Sequence, residues 1–237
     1  MYKNNVLSIN RLKNVDTVIF DCDNVLWFCA PFKEIALRLC DYLQIPDDIR
    51  HKFVSEFINT LNVLPSHLCP RYISRSFLCS YLEKVMPILA TCEFSAEHLL
   101  SAIEKMDDYS KPNPQTLPVL KELRYRGYLM MAKSNWLEAV QRKRLTKYGL
   151  LSYFDLFKGC DNSYFKPNPR AFSDFLKTST DPSHYVVIGD NLRTDIAIAN
   201  LMRTRSIWFN EYGLSNDTMF DPDYEISDLT QVLQLLH

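Results

Sequence analysis

The sequence predicts an α/β fold, a doubly wound parallel sheet that carries an inserted all-helical domain. Three observations point there. From residue 111 onward, short apolar runs alternate with segments of helical period, the pattern of a parallel sheet covered on both faces. One further apolar run, Thr17 to Phe20, stands far upstream of that alternation. Between the two, over roughly residues 28 to 110, apolar residues recur at three and four positions, and nothing from Asp48 to Met106 alternates with period two. The chain therefore divides into a core of residues 1–27 and 111–237 and an insert of residues 28–110, expected over the carboxyl edge of the sheet.

Each element follows from local pattern. Thr17 to Phe20 is β-branched and aromatic and stops at Asp21, as a buried strand does. Helices are expected over Lys33–Leu43, Ile49–Leu61, Tyr72–Met86 and Ala96–Met106, with prolines between them. Asn113-Pro114 reads as a cap and first turn, and Gly127 ends that helix. Tyr128–Ala132 is a strand, Leu137–Tyr148 a helix stopped by Gly149, and Phe154–Phe157 a short strand. Asn168-Pro169 opens a helix to Lys177. His184–Ile188 and Ser206–Phe209 are strands on either side of a helix over Thr194–Arg203, and a last helix spans Asp228–Leu236 after the cap Ser227.

Composition removes several function classes. At 47% hydrophobic and 23% charged, the chain has apolar side chains for a sizeable core, which excludes disorder for its bulk. Basic and acidic residues number 27 and 28, so no global field favours nucleic acid or an anionic membrane. No apolar run is long enough to span a bilayer, and the amino terminus leads into no signal-like segment. The seven cysteines contain no CxxC pair, which argues against zinc and disulfide-exchange sites and for thiols in a reducing compartment, hence a cytoplasmic protein. The five glycines, at 127, 149, 159, 189 and 213, are too far apart for GxGxxG or GxxxxGK[ST], and neither HExxH nor GxSxG occurs.

The chemistry lies at strand ends. Asp21, Ser134 and Asp190 each follow a predicted strand, the level at which ligands bind in open α/β sheets. Singly each is as readily a helix cap or a solvated turn. Together, Asp21-Cys22-Asp23 and Gly189-Asp190-Asn191-Leu192-Arg193-Thr194-Asp195 form an all-oxygen cluster suited to magnesium rather than zinc. Ser134 with neighbouring backbone N–H groups, and Lys166 from a loop, supply an anion site beside it. Opposite charges converging on one pocket suit phosphoryl transfer.

The stretches VIFDCDNVLW, MMAKSNW, YFKPNPRAF and VVIGDNLRTDIAIA resemble, in order and spacing, the four motifs of the haloacid dehalogenase superfamily in its phosphatase branch. The likeness runs over nearly the whole chain, since SIWFN and PDYEISDLTQVLQLL resemble the family's last strand and helix. The insert is similar to the family's helical cap after the first motif, and the 32 residues from Ser134 to Lys166 leave no room for the alternative cap position. The resemblance implies a Rossmann-like core and an aspartyl-phosphate mechanism. Asp21 would be the nucleophile and Asp23 the general acid and then base. Mg2+ would be held by Asp21, the backbone carbonyl of Asp23 and Asp190, with Asp195 acting through water or in support. Ser134, Asn135 and Lys166 would bind the transferring phosphoryl group. The expected substrate is a small phosphorylated metabolite, a nucleotide or sugar phosphate, with neither nucleic acid nor membrane as partner. A phosphomutase using the same intermediate and a weakly active binding protein on the same fold are the rival readings. Asp23 argues against the dehalogenase branch, which lacks an acid there.

Two departures stand out. Asn24-Val25 replaces the more usual Gly or Asn followed by Thr, and Leu201-Met202-Arg203 stands where an Ala-Gly pair is frequent. In the insert, Trp27, Phe28 and Phe32 are placed to line a pocket, and Arg71 and Arg75 to meet a second anion. Core packing for the aromatics and a solvated face for the arginines is the plainer reading, so none of the five is taken as a site residue.

Overall fold

The computed structural model describes residues 12–69, 71–106, 110–176 and 181–236. Its centre is a six-stranded, all-parallel sheet in the order β10-β9-β8-β1-β5-β6, formed by β1 (Thr17–Phe20), β5 (Leu129–Lys133), β6 (Leu156–Lys158), β8 (Tyr185–Gly189), β9 (Arg205–Phe209) and β10 (Tyr224–Ile226). β1 lies between β5 and β8, with Phe20 level with both Ala132 and Ile188. The chain leaves β1 for one side of the sheet and later crosses to the other, so the switch point falls at the end of β1.

Successive side chains of each strand point to opposite faces. One set, including Val18, Phe20, Met130 and Ile188, packs on α6 (Thr116–Tyr125) and α9 (Val232–Leu235). The other, Ile19, Met131, Tyr185 and Val187, packs on Phe172, Phe175 and α8 (Ala197–Met202). Parallel strands buried on both faces need continuous apolar runs, which is why these strands were legible.

Between β1 and α6 lies the insert: α1 (Phe32–Tyr42), α2 (Asp47–Leu68), α3 (Arg75–Val85), α4 (Ile88–Thr91) and α5 (Ala96–Lys105). In α2 the buried positions Phe53, Phe57, Thr60, Leu64 and Leu68 trace one helical face. Among the described residues no helix is long and apolar enough to cross a membrane.

Several expectations need correction. The insert is not wholly helical. β3 (Tyr72–Ile73) pairs antiparallel with β7 (Ser163–Tyr164) of the core, so the helix expected from Tyr72 begins at Arg75. α2 continues seven residues past the expected end at Leu61. Asn168 caps as expected, its side chain accepting from the Arg170 amide, but only one tight turn, Pro169–Phe172, follows; Lys177 lies outside the described residues. The last helix is capped by Asp228, not Ser227, because the Asp228 carboxylate accepts the Thr230 amide at 2.8 Å. The two ends of the insert meet where β2 (Trp27–Phe28) pairs with β4 (Lys111–Pro112).

Candidate active site

Asp21 follows β1 directly and is almost buried. The Lys166 ammonium donates to Asp21 Oδ1 at 2.5 Å, to Asp195 Oδ1 at 2.5 Å and to the Lys133 carbonyl at 2.9 Å. Burial opposes the charge on Lys166, but the carboxylates of Asp195 and Asp21 outweigh it and hold the ammonium well above its ordinary range. Asp21, Asp190 and Asp195 each bring a carboxylate oxygen within 4.8 Å of the others. Burial, then the charge of Asp195, raises the Asp21 carboxyl against the pull of Lys166. The same two causes, in the same order, push Asp190 up to about 7. One ammonium does not balance three clustered carboxylates, two of them buried, and an oxygen cluster of this kind fits a hard divalent cation.

Asp195 reaches the cluster through one widened, π-type turn, Leu192–Ile196, directly after β8. Its Oδ2 accepts the Asn191 amide at 3.2 Å, and the Asn191 carbonyl accepts the Asp195 amide at 2.8 Å. Gly189 makes this fit possible, because a Cβ there would overlap the Asp195 side chain.

Asp23 lies two residues beyond Asp21, and its carboxylate points toward α7 (Glu138–Lys147). Oδ1 accepts from the Trp27 indole at 2.9 Å, the Cys29 thiol at 2.9 Å and Arg144 Nη1 at 2.8 Å. Oδ2 accepts from Gln141 Nε2 at 2.5 Å and the Ser134 hydroxyl at 3.3 Å. The turn that follows the two carboxylates holds Asn24 in the left-handed region at φ 59°, where asparagine is at little cost. Asn24 Nδ2 reaches Asp190 Oδ2 at 3.4 Å, joining the first and last motifs.

Val25 is fully buried in the sheet core, and its carbonyl accepts from the Asn113 side chain at 3.0 Å, so this loop is pinned from outside. Ser134 also has no exposed surface. Besides Asp23, its hydroxyl meets Gln141 Nε2 at 2.7 Å and the Trp136 amide at 3.0 Å. Asn135 clamps the loop carrying Lys166 by two bonds, Nδ2 to the Lys166 carbonyl at 3.0 Å and the Lys166 amide to Oδ1 at 2.8 Å.

The site borders a cleft of about 240 Å³, lined by Asp21, Asp23, Asn135, Lys166 and Asp190 from the core and by Phe32, Ile35, Leu61 and Leu64 from the insert, whereas Ser134 and Asp195 are buried behind it. Of the five residues weighed at the edge of the site, only Phe32 lines it. Trp27 is buried with its indole on Asp23, and Phe28 packs on the sheet core. Arg75 pairs with Glu97 and Glu104, and Arg71 lies over the Phe77 ring. Sequence reasoning missed Gln141 and Arg144. Both fall on the buried face of α7 with Val140 and Leu145, which the charged run around them conceals in the sequence.

Residues 15–202 match the model of the haloacid dehalogenase-like hydrolases. The chain is 23% identical over 232 residues to a glyceraldehyde 3-phosphate phosphatase of Pyrococcus furiosus, covering 95% of this chain and 94% of that one. It is 29% identical over 126 residues to the pyrimidine 5'-nucleotidase PynA of Streptococcus pneumoniae, a match that spans about half of each protein. The crystal structure of the HAD-hydrolase YfnB from Bacillus subtilis, bound to magnesium, superposes with a TM-score of 0.71 at 19% identity, covering 94% of this chain and 99% of that one. Fold, strand-end carboxylates and a family match over most of the chain agree: the protein belongs to the haloacid dehalogenase-like hydrolases.

Proposed function

We propose that this hydrolase is a Mg2+-dependent phosphatase that cleaves a small phosphomonoester, of the nucleotide or sugar phosphate class, through an aspartyl-phosphate on Asp21. The class, a hydrolase of phosphoric monoesters, is that of its relatives. One observation carries the reading. Asp21 lines a cleft between a buried ammonium and two further carboxylates, buried Asp195 and half-buried Asp190. That is the charge arrangement a nucleophile needs beside a transferring phosphoryl group.

Asp21, Asp190, Asp195 and the Asp23 carbonyl would hold Mg2+, which neutralises charge on the phosphoryl oxygens. Lys166 shares that neutralisation, and Asn135 fixes the loop from which Lys166 projects. In the first step an Asp21 oxygen attacks phosphorus while Asp23 protonates the departing alcohol. In the second, Asp23 takes a proton from water as the water attacks the same phosphorus and frees Asp21. Arg144, Gln141 and Trp27 position Asp23. The Ser134 hydroxyl is a further donor to the phosphoryl group, once it turns from Asp23.

The same proposal assigns residues 28–110 to a cap domain and residues 1–27 and 111–237 to the catalytic core. The pairing of Phe28 with Lys111 supports these boundaries. The proposal extends to a cytoplasmic location with the thiols reduced.

The test is a phosphate-release screen over phosphorylated metabolites, with and without Mg2+, on the wild type and Asp21→Asn. Mg2+-dependent release by the wild type and a loss of several orders of magnitude in the variant are expected. A variant retaining more than about a tenth of wild-type kcat, less than 1.4 kcal/mol of barrier, overturns the nucleophile assignment. Conversion of substrate to an isomer without free phosphate points to a phosphomutase instead.

A further inference from the structure

We propose that the ester this enzyme selects has a leaving group with a flat aromatic ring, as in a nucleoside monophosphate, and that a wall of six side chains in the cleft selects it. The inference rests on the phosphatase reading, because it concerns the lining of the same cleft.

The lining of the cleft is of two chemical kinds. One set is ionic: Asp21, Asp23, Arg144, Lys166 and Asp190. The other is a wall of Phe32 and Ile35 of α1, Leu61 and Leu64 of α2, and Trp136 and Phe165 of the core. Among the described residues, the helices of the insert thus contribute only apolar side chains to the site. Two cations line the cleft, and both are paired: Lys166 with Asp21 and Asp195, and Arg144 with Asp23 at 2.8 Å.

A phosphate ester bearing a carboxylate, or a bare polyol, would bring polar groups against this wall. Those groups would leave water with no replacement hydrogen bond, which disfavours binding. An aromatic ring reverses the balance. It buries apolar area and meets ring faces at Phe32 and Trp136.

What lies behind the wall supports the same conclusion. A second, small cavity of about 30 Å³ between insert and core shares Leu61, Leu64, Asn135, Trp136 and Phe165 with the cleft, and among the described residues no charged side chain lines it. Four of the six wall residues are thus backed by uncharged surroundings, so a ring seated against them meets no buried charge.

The experiment compares kcat/KM of the Mg2+-loaded full chain for UMP and AMP with that for ribose 5-phosphate, which presents the same phosphorylated sugar without the base. Phosphoserine serves as the charged competitor. We expect the better nucleotide to exceed both by at least tenfold. In Phe32→Ser, at a partly exposed position where folding is little at risk, and in Leu64→Asn, the ratio of nucleotide to ribose 5-phosphate is expected to fall at least threefold. Ribose 5-phosphate or phosphoserine turning over as well as the nucleotides overturns the inference and leaves the phosphatase reading intact. So does a nucleotide preference that neither variant reduces. Absence of phosphate release from every ester overturns the phosphatase reading itself.

Discussion

Asp190 and Asp21 are acids whose carboxyls the fold raises, Asp190 from 3.8 to about 7, by burial first and the charge of Asp195 second. A raised acid favours the folded state fully below its ordinary value, and that contribution is lost as pH climbs through the folded value. Cation-free protein is therefore expected to lose stability between about pH 4 and 7, by an amount on the order of a few kcal/mol. A divalent cation removes the repulsion that protons relieve at low pH, so Mg2+ should raise Tm more at pH 8 than at pH 5. Equal shifts at the two pH values, read by calorimetry, would count against the metal assignment. Asp23 is a different case, a carboxylate ringed by donors from Trp27, Cys29, Ser134, Gln141 and Arg144. Asp23→Asn keeps the shape and loses the proton relay. Esters with poor leaving groups should slow most, because aryl phosphates need little protonation as they depart. Single-turnover rates over a leaving-group series check this, and a uniform loss argues against the acid role.

Among the elements, the junction of β8 with the turn after it is the least tolerant. Asp195 is fully buried there, and Gly189 leaves room for nothing larger than hydrogen. Gly189→Ala is expected to displace Asp195, destabilise the fold by about 1–3 kcal/mol through overpacking, and lower kcat/KM at least tenfold. Wild-type activity in that variant would show that Asp195 need not hold its position. The strand was legible because Tyr185–Gly189 is apolar and buried throughout; β1 is likewise buried along its length, and β5 and β9 are buried after an exposed first residue. β10 was not, since Tyr-Glu-Ile is a short, half-exposed edge strand. The two-residue pairings of β2 with β4 and β3 with β7 are too short to carry a period. The site divides in the same way. Asp21 and Asp190 stand at strand ends and Lys166 in a loop, where a charged residue is conspicuous, and Asp195 follows Asp190 within one helical turn. Gln141 and Arg144 sit within QRKRLTK, a run that reads as a solvated helix face until the burial of Val140 and Leu145 beside them is known.

On the scale of the whole molecule, insert and core share one apolar cluster. Leu137, Val140, Cys160 and Phe165, which flank Ser134 and Lys166, pack with Ile35, Leu64, Leu82 and Ile103 of the insert. Polar ties accompany it: Asn168 Nδ2 donates to the Cys69 carbonyl at 2.7 Å, Lys143 Nζ to the Met106 carbonyl at 3.1 Å, and the Tyr72 and Tyr164 rings meet edge to face at 5.4 Å. A cover held this closely restricts what reaches Asp21 and keeps bulk water from the covalent step. The cleft beneath it, about 240 Å³, is below the usual 300–1,000 Å³ of small-molecule sites. A phosphoserine in a folded protein would have to bring its backbone and neighbours under α1 and α2, which separates the insert from the core and exposes the shared cluster. Small phosphomonoesters ask for no such opening. The expected outcome is a kcat/KM for phosphorylated metabolites well above that for folded phosphoproteins. Phosphoproteins faster by tenfold, about 1.4 kcal/mol of transition-state binding, would mean that the insert opens freely and does not filter by size.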